Sequence, residues 1–397
     1  MENTIYVTGI GIVASIGTNV DECLSSLLAK QTGIADIQIL DTFHKGTFKV
    51  GEVKLSNEAL MAKLQIPQSE YTNYTRTALL GMMAAKEALD NSGIDLNDGF
   101  RTAFISATTV GGMDKTEHHY NDKNNISGFV QTHSCGDSTD KIADYLGLTD
   151  YRTTISTACS SAANAVMHGA RLIQNGIVDR AVVGGVDALS RFTLNGFNSL
   201  MILDTDFCKP FDCNRRGLNI GEGAGYIVIE SDKTLKASNK KHICRLTGYA
   251  NANDAYHQTA SSPEGEGAYT AMSQALAMSG LQITEIDYIN AHGTGTSNND
   301  MSEGVAIKRV FGDAIPYFSS TKSYTGHTLA AAAGIEAVFS CLSIAKGLVY
   351  PNLNFKDEIP ELQMSPQTEL ITGADIKNVL SNSFGFGGNN STLIFSK

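Results

Sequence analysis

A layered α/β architecture is the fold class this sequence predicts. Short β-branched runs alternate with longer segments whose apolar residues recur at helical spacing, and the alternation persists along the chain. Only 7 prolines and no low-complexity tract interrupt it. Taken in order, residues 5–8, 103–106, 153–156, 181–186, 226–230, 286–290 and 379–383 read as strands. Between them, residues 79–89, 162–173, 269–278, 302–310 and 330–344 carry the helical period. The polar, lysine-rich piece 231–241 is the candidate boundary between an N-terminal half, residues 1–240, and a C-terminal half, residues 241–397. Both halves run strand, helix, strand and end on glycine-punctuated strands, although no sequence repeat is visible by inspection.

The 397 residues, 42% hydrophobic and 18% charged, are enough to bury a large core. Thirty basic against 41 acidic residues leave a net charge of −11, which argues against a nucleic-acid surface. An acidic partner would need a local basic patch. Seven scattered cysteines, none spaced as CxxC, predict neither a disulfide framework nor a zinc site and fit a reducing, cytoplasmic setting. The start, Met1-Glu2-Asn3-Thr4, lacks the positive region of a signal peptide. The apolar stretches around Val182 and Val338 are short or broken by charge, so no membrane span is expected.

Four short segments carry chemistry. Thr157-Ala158-Cys159-Ser160-Ser161 lies between a strand and a helix, which puts the Cys159 sulfur on a turn near a helix N-terminus, where dipole and free N–H groups favour thiolate. A lone buried cysteine is more often structural, and the small neighbours Ala158, Ser160 and Ala162 are what favour a nucleophile on a tight elbow. His292, in Asn290-Ala291-His292-Gly293-Thr294-Gly295-Thr296, and His327, in Thr321-Lys322-Ser323-Tyr324-Thr325-Gly326-His327, both stand where a strand gives way to a loop. They lack metal-ligand spacing. Residues 382–390, Asn-Ser-Phe-Gly-Phe-Gly-Gly-Asn-Asn, form a glycine-rich turn able to bring backbone N–H groups to a ligand; a plain hairpin is the alternative.

Together, TACSS, NAHGTGT, TKSYTGH and NSFGFGGNN resemble the active-site segments of the elongating beta-ketoacyl-ACP synthases, the ketosynthases of the thiolase superfamily. The likeness extends to the opening VTGIGIVASIG, to residues 211–230 and to NDAYHQT around Asp254. The resemblance implies a thiolase-like fold, a duplicated αβαβα layered architecture, and a dimer. It implies that Cys159 takes an acyl chain from acyl carrier protein as a thioester, and that His292 and His327 stabilise the enolate formed when malonyl-carrier loses carbon dioxide. The backbone N–H groups of Cys159 and Phe386 would form the oxyanion hole, with the Phe386 side chain as gate. Lys322 would pair with Glu303 in a buried contact, and Thr294 and Thr296 would bind the pantetheine arm. Val110, Gly112 and Met113 become acyl-wall positions, and a structural monovalent cation would match Asn290, Glu336, Ser381 and Asn382. No cofactor beyond the carrier-borne phosphopantetheine is implied.

The chain also departs from that pattern. Many bacterial fatty-acid synthases of this type have alanine after the nucleophile where this chain has Ser160, and residues 203–209 make a short connection. The Ser160-Ser161 pairing is reminiscent of polyketide-type ketosynthases, and fatty-acid enzymes often carry a longer loop at 203–209; together they point to a specialised pathway, which leaves a fatty-acid or a polyene or polyketide product. The stretch 71–75 holds no basic residue for carrier docking, leaving Lys63, Arg76, Lys209, Arg215 and Arg216 as candidates. The partner subunit would be a second copy or a chain-length-factor-like chain. A non-catalytic chain-length factor would typically lack the cysteine. Initiating synthases and thiolases resemble Cys-His-Asn or Cys-His-Cys sites, which TGH at His327 does not match.

Overall fold

Ten strands build one sheet in the computed structural model, which describes residues 4–122 and 126–397; the reading of Met1, Glu2 and Asn3 therefore lies outside the described residues. In chain order they are β1 (Ile5–Ala14), β2 (Thr102–Ala107), β3 (Tyr151–Ile155), β4 (Arg180–Asp187) and β5 (Gly223–Ser231), then β6 (Cys244–Asn253), β7 (Tyr288–Asn290), β8 (Tyr317–Ser319), β9 (Asn378–Gly385) and β10 (Asn389–Ser396). Across the sheet the order is β8-β7-β9-β10-β6-β1-β5-β4-β2-β3. Counted within its own half, each group of five has the same order, third, second, fourth, fifth, first, meeting at β1 and β6. Directions repeat too: the pairs β2–β3 and β2–β4 match β7–β8 and β7–β9 as parallel, and β4–β5 and β5–β1 match β9–β10 and β10–β6 as antiparallel. The duplication invisible in the sequence is thus written in the topology, and Asp232–Ser238, a short helix, links the halves.

Parallel strands buried on both faces read as unbroken apolar runs, which is why β2 and β4 are buried at every position. Two helices at equivalent places in the repeat, Ser161–Gln174 after β3 and Ala332–Lys346 after β8, pack against each other in the main core. The second begins one 3₁₀ turn after the start expected from periodicity, with Leu329–Ala331 as that turn. The stretch Leu329–Lys346 is the one span among the described residues long and apolar enough to cross a membrane, and 89% of it is buried inside the fold. It can pack so closely because Gly225 on β5 faces Gly334: a Cβ on Gly225 would lie 2.3 Å from the Ile335 nitrogen.

The five expected helices are all present, with ends shifted by a few residues. Periodicity overlooked Val20–Leu28, Cys135–Leu146 and Arg191–Ser199, each under a dozen or so residues with polar interruptions, and the strand β6. The repeat matters for the site. Strand-to-helix connections after β3 and β8, and the loop after β7, converge where the two halves meet.

Candidate active site

Cys159 sits on a strained elbow. Ala158 before it has φ of +52°, a conformation that non-glycine residues rarely adopt, and Ser161, opening the following helix, binds back to both Thr157 and Ala158. Cys159 is 6% exposed. Burial pushes the thiol up to about 11, against the Lys322 charge and the Phe386 N–H, which lower it; Asp187 and Glu336 reinforce the rise. Desolvation thus opposes the thiolate that the helix terminus favours. Gly385 brings the Phe386 turn against the elbow, where a Cβ would be 3.1 Å from the Cys159 nitrogen. The Phe386 N–H lies within hydrogen-bonding reach of the Cys159 thiol.

His292 and His327 face each other edge to face, with ring centroids 5.3 Å apart, and both are buried. Their hydrogen bonds fix their tautomers. Leu329 N–H donates to His327 Nδ1 at 3.1 Å, so that nitrogen carries no proton and Nε2 does. Lys322 Nζ lies 3.2 Å from His292 Nδ1; an ammonium only donates, so here too the proton is on Nε2. Burial, then the Lys322 charge, hold both rings well below the usual histidine range, and each is a neutral donor at neutral pH. The main chain of His327 is clamped by Asn219 and Gly221, from the segment 211–230.

The structure rearranges the expected ion pair. Lys322 pairs with Glu336 rather than Glu303, both partners being 2% exposed. Glu303 instead accepts the N–H groups of His292 and Gly293 at 2.8 and 2.7 Å and the amide of Asn382 at 3.2 Å, so it shapes the histidine loop. Burial pushes its carboxyl up to about 7 despite those donors. Asn290 and Ser381 are paired neighbours on β7 and β9, and Glu336 and Asn382 lie against them. Lys322 and Ser383 donate to the Glu336 carboxylate, and Thr392 donates to the Asn382 oxygen. Among the described residues no cluster of three or more His, Cys, Asp or Glu has metal-binding geometry.

Two cavities meet at Cys159. One, about 250 Å³, is lined by His292, His327, Thr294, Thr296, Phe384 and Phe386 and opens past Ser297 and Asn298. The other, about 380 Å³, is almost wholly apolar and runs between Val110, Phe192, Phe197, Leu200 and Leu329. Phe386 belongs to both walls and stacks on Phe197 at 5.8 Å. Gly387 and Gly388 behind it have φ of +80° and +76°, the turn that only glycine makes easily. Val110 lines the apolar cavity. Met113, opening the helix Met113–His119, lines neither cavity. Arg76 is buried against Glu222 at 2.6 Å, which removes it from the docking candidates.

Sequence reasoning missed two buried carboxylates. Asp187, ending β4, accepts from Thr108 and Thr109 hydroxyls, both at 2.5 Å, from Val110 N–H and from Ala330 N–H, tying the acyl wall to the His327 loop. Asp300 accepts the N–H groups of Phe211, Thr294 and Gly295. The available signal was an aspartate closing an apolar strand and another in the first turn of a helix.

An elbow cysteine beside two donor histidines, reached by one cavity of mixed lining and one almost wholly apolar on a duplicated α/β sheet, defines a thioester-forming condensing enzyme. The chain belongs to the beta-ketoacyl synthase family: residues 2–234 match the model of its N-terminal domain and residues 243–356 that of its C-terminal domain. It is 33% identical to the 3-oxoacyl-[acyl-carrier-protein] synthase 2 of Staphylococcus aureus (strain N315), over 99% of this chain and 98% of that one. The solved ishigamide ketosynthase/chain length factor superposes with a TM-score of 0.93 at 31% identity, and a type II polyketide ketosynthase in complex with its acyl-carrier protein, AntDE:AntF, with 0.87 at 26%; each match covers both chains fully.

Proposed function

We propose that this chain condenses a Cys159-bound acyl group with malonyl-ACP, releasing carbon dioxide and giving 3-oxoacyl-ACP. The observation that carries it is the pair of neutral histidines beside the buried thiol, each holding its proton on Nε2. Cys159 sulfur attacks the acyl thioester, its proton passes to the departing carrier thiolate, and the chain lies in the apolar cavity. The malonyl arm then enters past Thr294 and Thr296. As the carboxylate leaves, its bonding electrons form an enolate whose oxygen accepts from both Nε2–H groups. The enolate carbon attacks the Cys159 thioester. The resulting oxyanion accepts from the Cys159 and Phe386 N–H groups and collapses, expelling the Cys159 sulfur, which regains a proton.

No resident cofactor has a place in this scheme. Free cysteines throughout favour a cytoplasmic setting. The partners are acyl carrier protein and either a second copy or a chain-length-factor-like subunit, supported by the ishigamide and AntDE:AntF likenesses. The same likenesses, with Ser160 after the nucleophile, favour a polyene or polyketide-type product alongside the fatty-acid reading. A purely structural chain-length-factor role is disfavoured by Cys159 itself. Incubation with acyl-carrier and radiolabelled malonyl-carrier tests the reading: wild type forms 3-oxoacyl-carrier and Cys159→Ala does not. Normal condensation by the alanine variant would sink it.

A further inference from the structure

The histidine cavity ends in a cation. Cys159 at its floor is 6% exposed, whereas the Arg216 side chain at its rim is 61% exposed. Among the described residues lining this cavity, Arg216 alone carries a full positive charge, and no carboxylate lines it. The neighbouring Arg215 is engaged elsewhere, donating to the carbonyls of Asp212, Thr296 and Ser297, and is committed to that turn. Arg216 makes one hydrogen bond, through Nη2 to the buried Asp204 at 3.0 Å, which aims the guanidinium and leaves its other N–H groups available. The next residue, Gly217, presses its carbonyl against Gly295, within 2.8 Å of where a Cβ would be, so Arg216 is fixed beside Thr294 and Thr296.

We infer that Arg216 binds the phosphate of the phosphopantetheine arm, an assignment that rests on the condensation reading above. A malonyl carboxylate is one carbon from the thioester carbonyl and so must lie at the histidines. The phosphate, at the far end of the arm, is the anion that reaches the rim. Guanidinium suits it through paired N–H donors, and a chain of net charge −11 otherwise repels it.

Binding of two unreactive probes, S-ethyl-phosphopantetheine and S-ethyl-pantetheine, is measured by calorimetry on wild type, Arg216→Gln and Arg216→Lys. Wild type prefers the phosphorylated probe by about five- to tenfold, as expected for a charge-assisted contact partly open to water. Arg216→Gln loses the preference with unchanged affinity for S-ethyl-pantetheine, and Arg216→Lys keeps part of it. Equal affinities in wild type, or a preference surviving in Arg216→Gln, overturn the assignment. Cys159 acylation by acyl-carrier is scored separately on the same proteins: its absence in wild type would end the condensation reading while the probe comparison still decides on Arg216.

Discussion

Lys322 Nζ stands 3.2 Å from His292 Nδ1 while its charge is shared with Glu336 on the central helix. That contact does two things. It makes Nδ1 an acceptor, which sends the ring proton to Nε2 on the cavity side, and it adds to the burial that keeps the imidazole neutral. A donor aimed at a developing enolate has to be preorganised, and the lysine supplies that order without touching substrate.

Lys322→Met is therefore expected to lower malonyl decarboxylation by about 10²-fold, the usual cost of losing a residue that orients a catalytic group, while Cys159 acylation falls far less. It also strands the Glu336 carboxylate, destabilising the fold by about 3–5 kcal/mol. Adding Glu336→Gln should restore the Tm but not the decarboxylation rate. Recovery of both would show that Lys322 acts only on folding.

The acid limb of decarboxylation should belong to Glu336. Burial raises its carboxyl to about 6, and both histidines titrate well below their usual range, so lowering the pH protonates Glu336 before either histidine and frees Lys322 from its partner. Glu303, raised to about 7, protonates earlier but touches only the backbone of the histidine loop and the Asn382 amide. Activity should hold from pH 8 to 7 and fall through about 6. Glu336→Gln should begin at the lower level and show no such step. A limb of unchanged midpoint in that variant would assign it to another group.

Much of this site was legible in the chain because its reactive residues lie on short, unusual segments. Cys159, His292, His327 and the Phe386 turn each follow a strand and carry small or glycine neighbours, a local signal independent of the remainder of the fold. The partner of Lys322 was not legible, since Glu336 sits 14 residues away on a helix whose periodicity marks it only as core. Resemblance pointed to Glu303, near in the sequence to the histidine loop and in fact bound to its backbone. Likewise, the duplication resides in strand order and direction, and these emerge only when β6, too polar on one face to stand out, pairs with β1 and β10.

A polar anchor links the elbow to the gate. Asn389 Oδ1 accepts from Ser160 Oγ at 2.6 Å, from Asn251 Nδ2 at 2.7 Å and from Asn164 Nδ2 at 3.0 Å, three residues beyond Phe386. Asn389→Ala removes the acceptor they share, while Ser160 and Asn164 keep Thr157 and Asn251 keeps Ser391 as second partners, and should cost about 1–2 kcal/mol in urea unfolding. Because Asn389 ends the turn that carries Phe386, acylation should also slow by about tenfold, a fraction of what deleting an oxyanion donor costs. Ser160→Ala, retaining two of the three bonds, should cost about 1 kcal/mol. An Asn389→Ala protein of wild-type stability and acylation rate would contradict the anchor.

Reactivity of the resting thiol discriminates most directly between the helix-terminus expectation and the buried site. The nucleophile toward an alkylating reagent is the thiolate, and burial raises the Cys159 thiol to about 11. The labelled fraction per minute with iodoacetamide should then climb close to tenfold per pH unit from 7 to 9, with no plateau, since the group stays mostly protonated throughout. Lys322 lowers that value, so Lys322→Met should shift the whole profile to higher pH and slow labelling at every point below it. Mass spectrometry of the Cys159 peptide separates this site from the exposed Cys213. A plateau reached by pH 8 would mean that the helix N-terminus and the Phe386 N–H overcome desolvation, and that the enzyme rests as a thiolate.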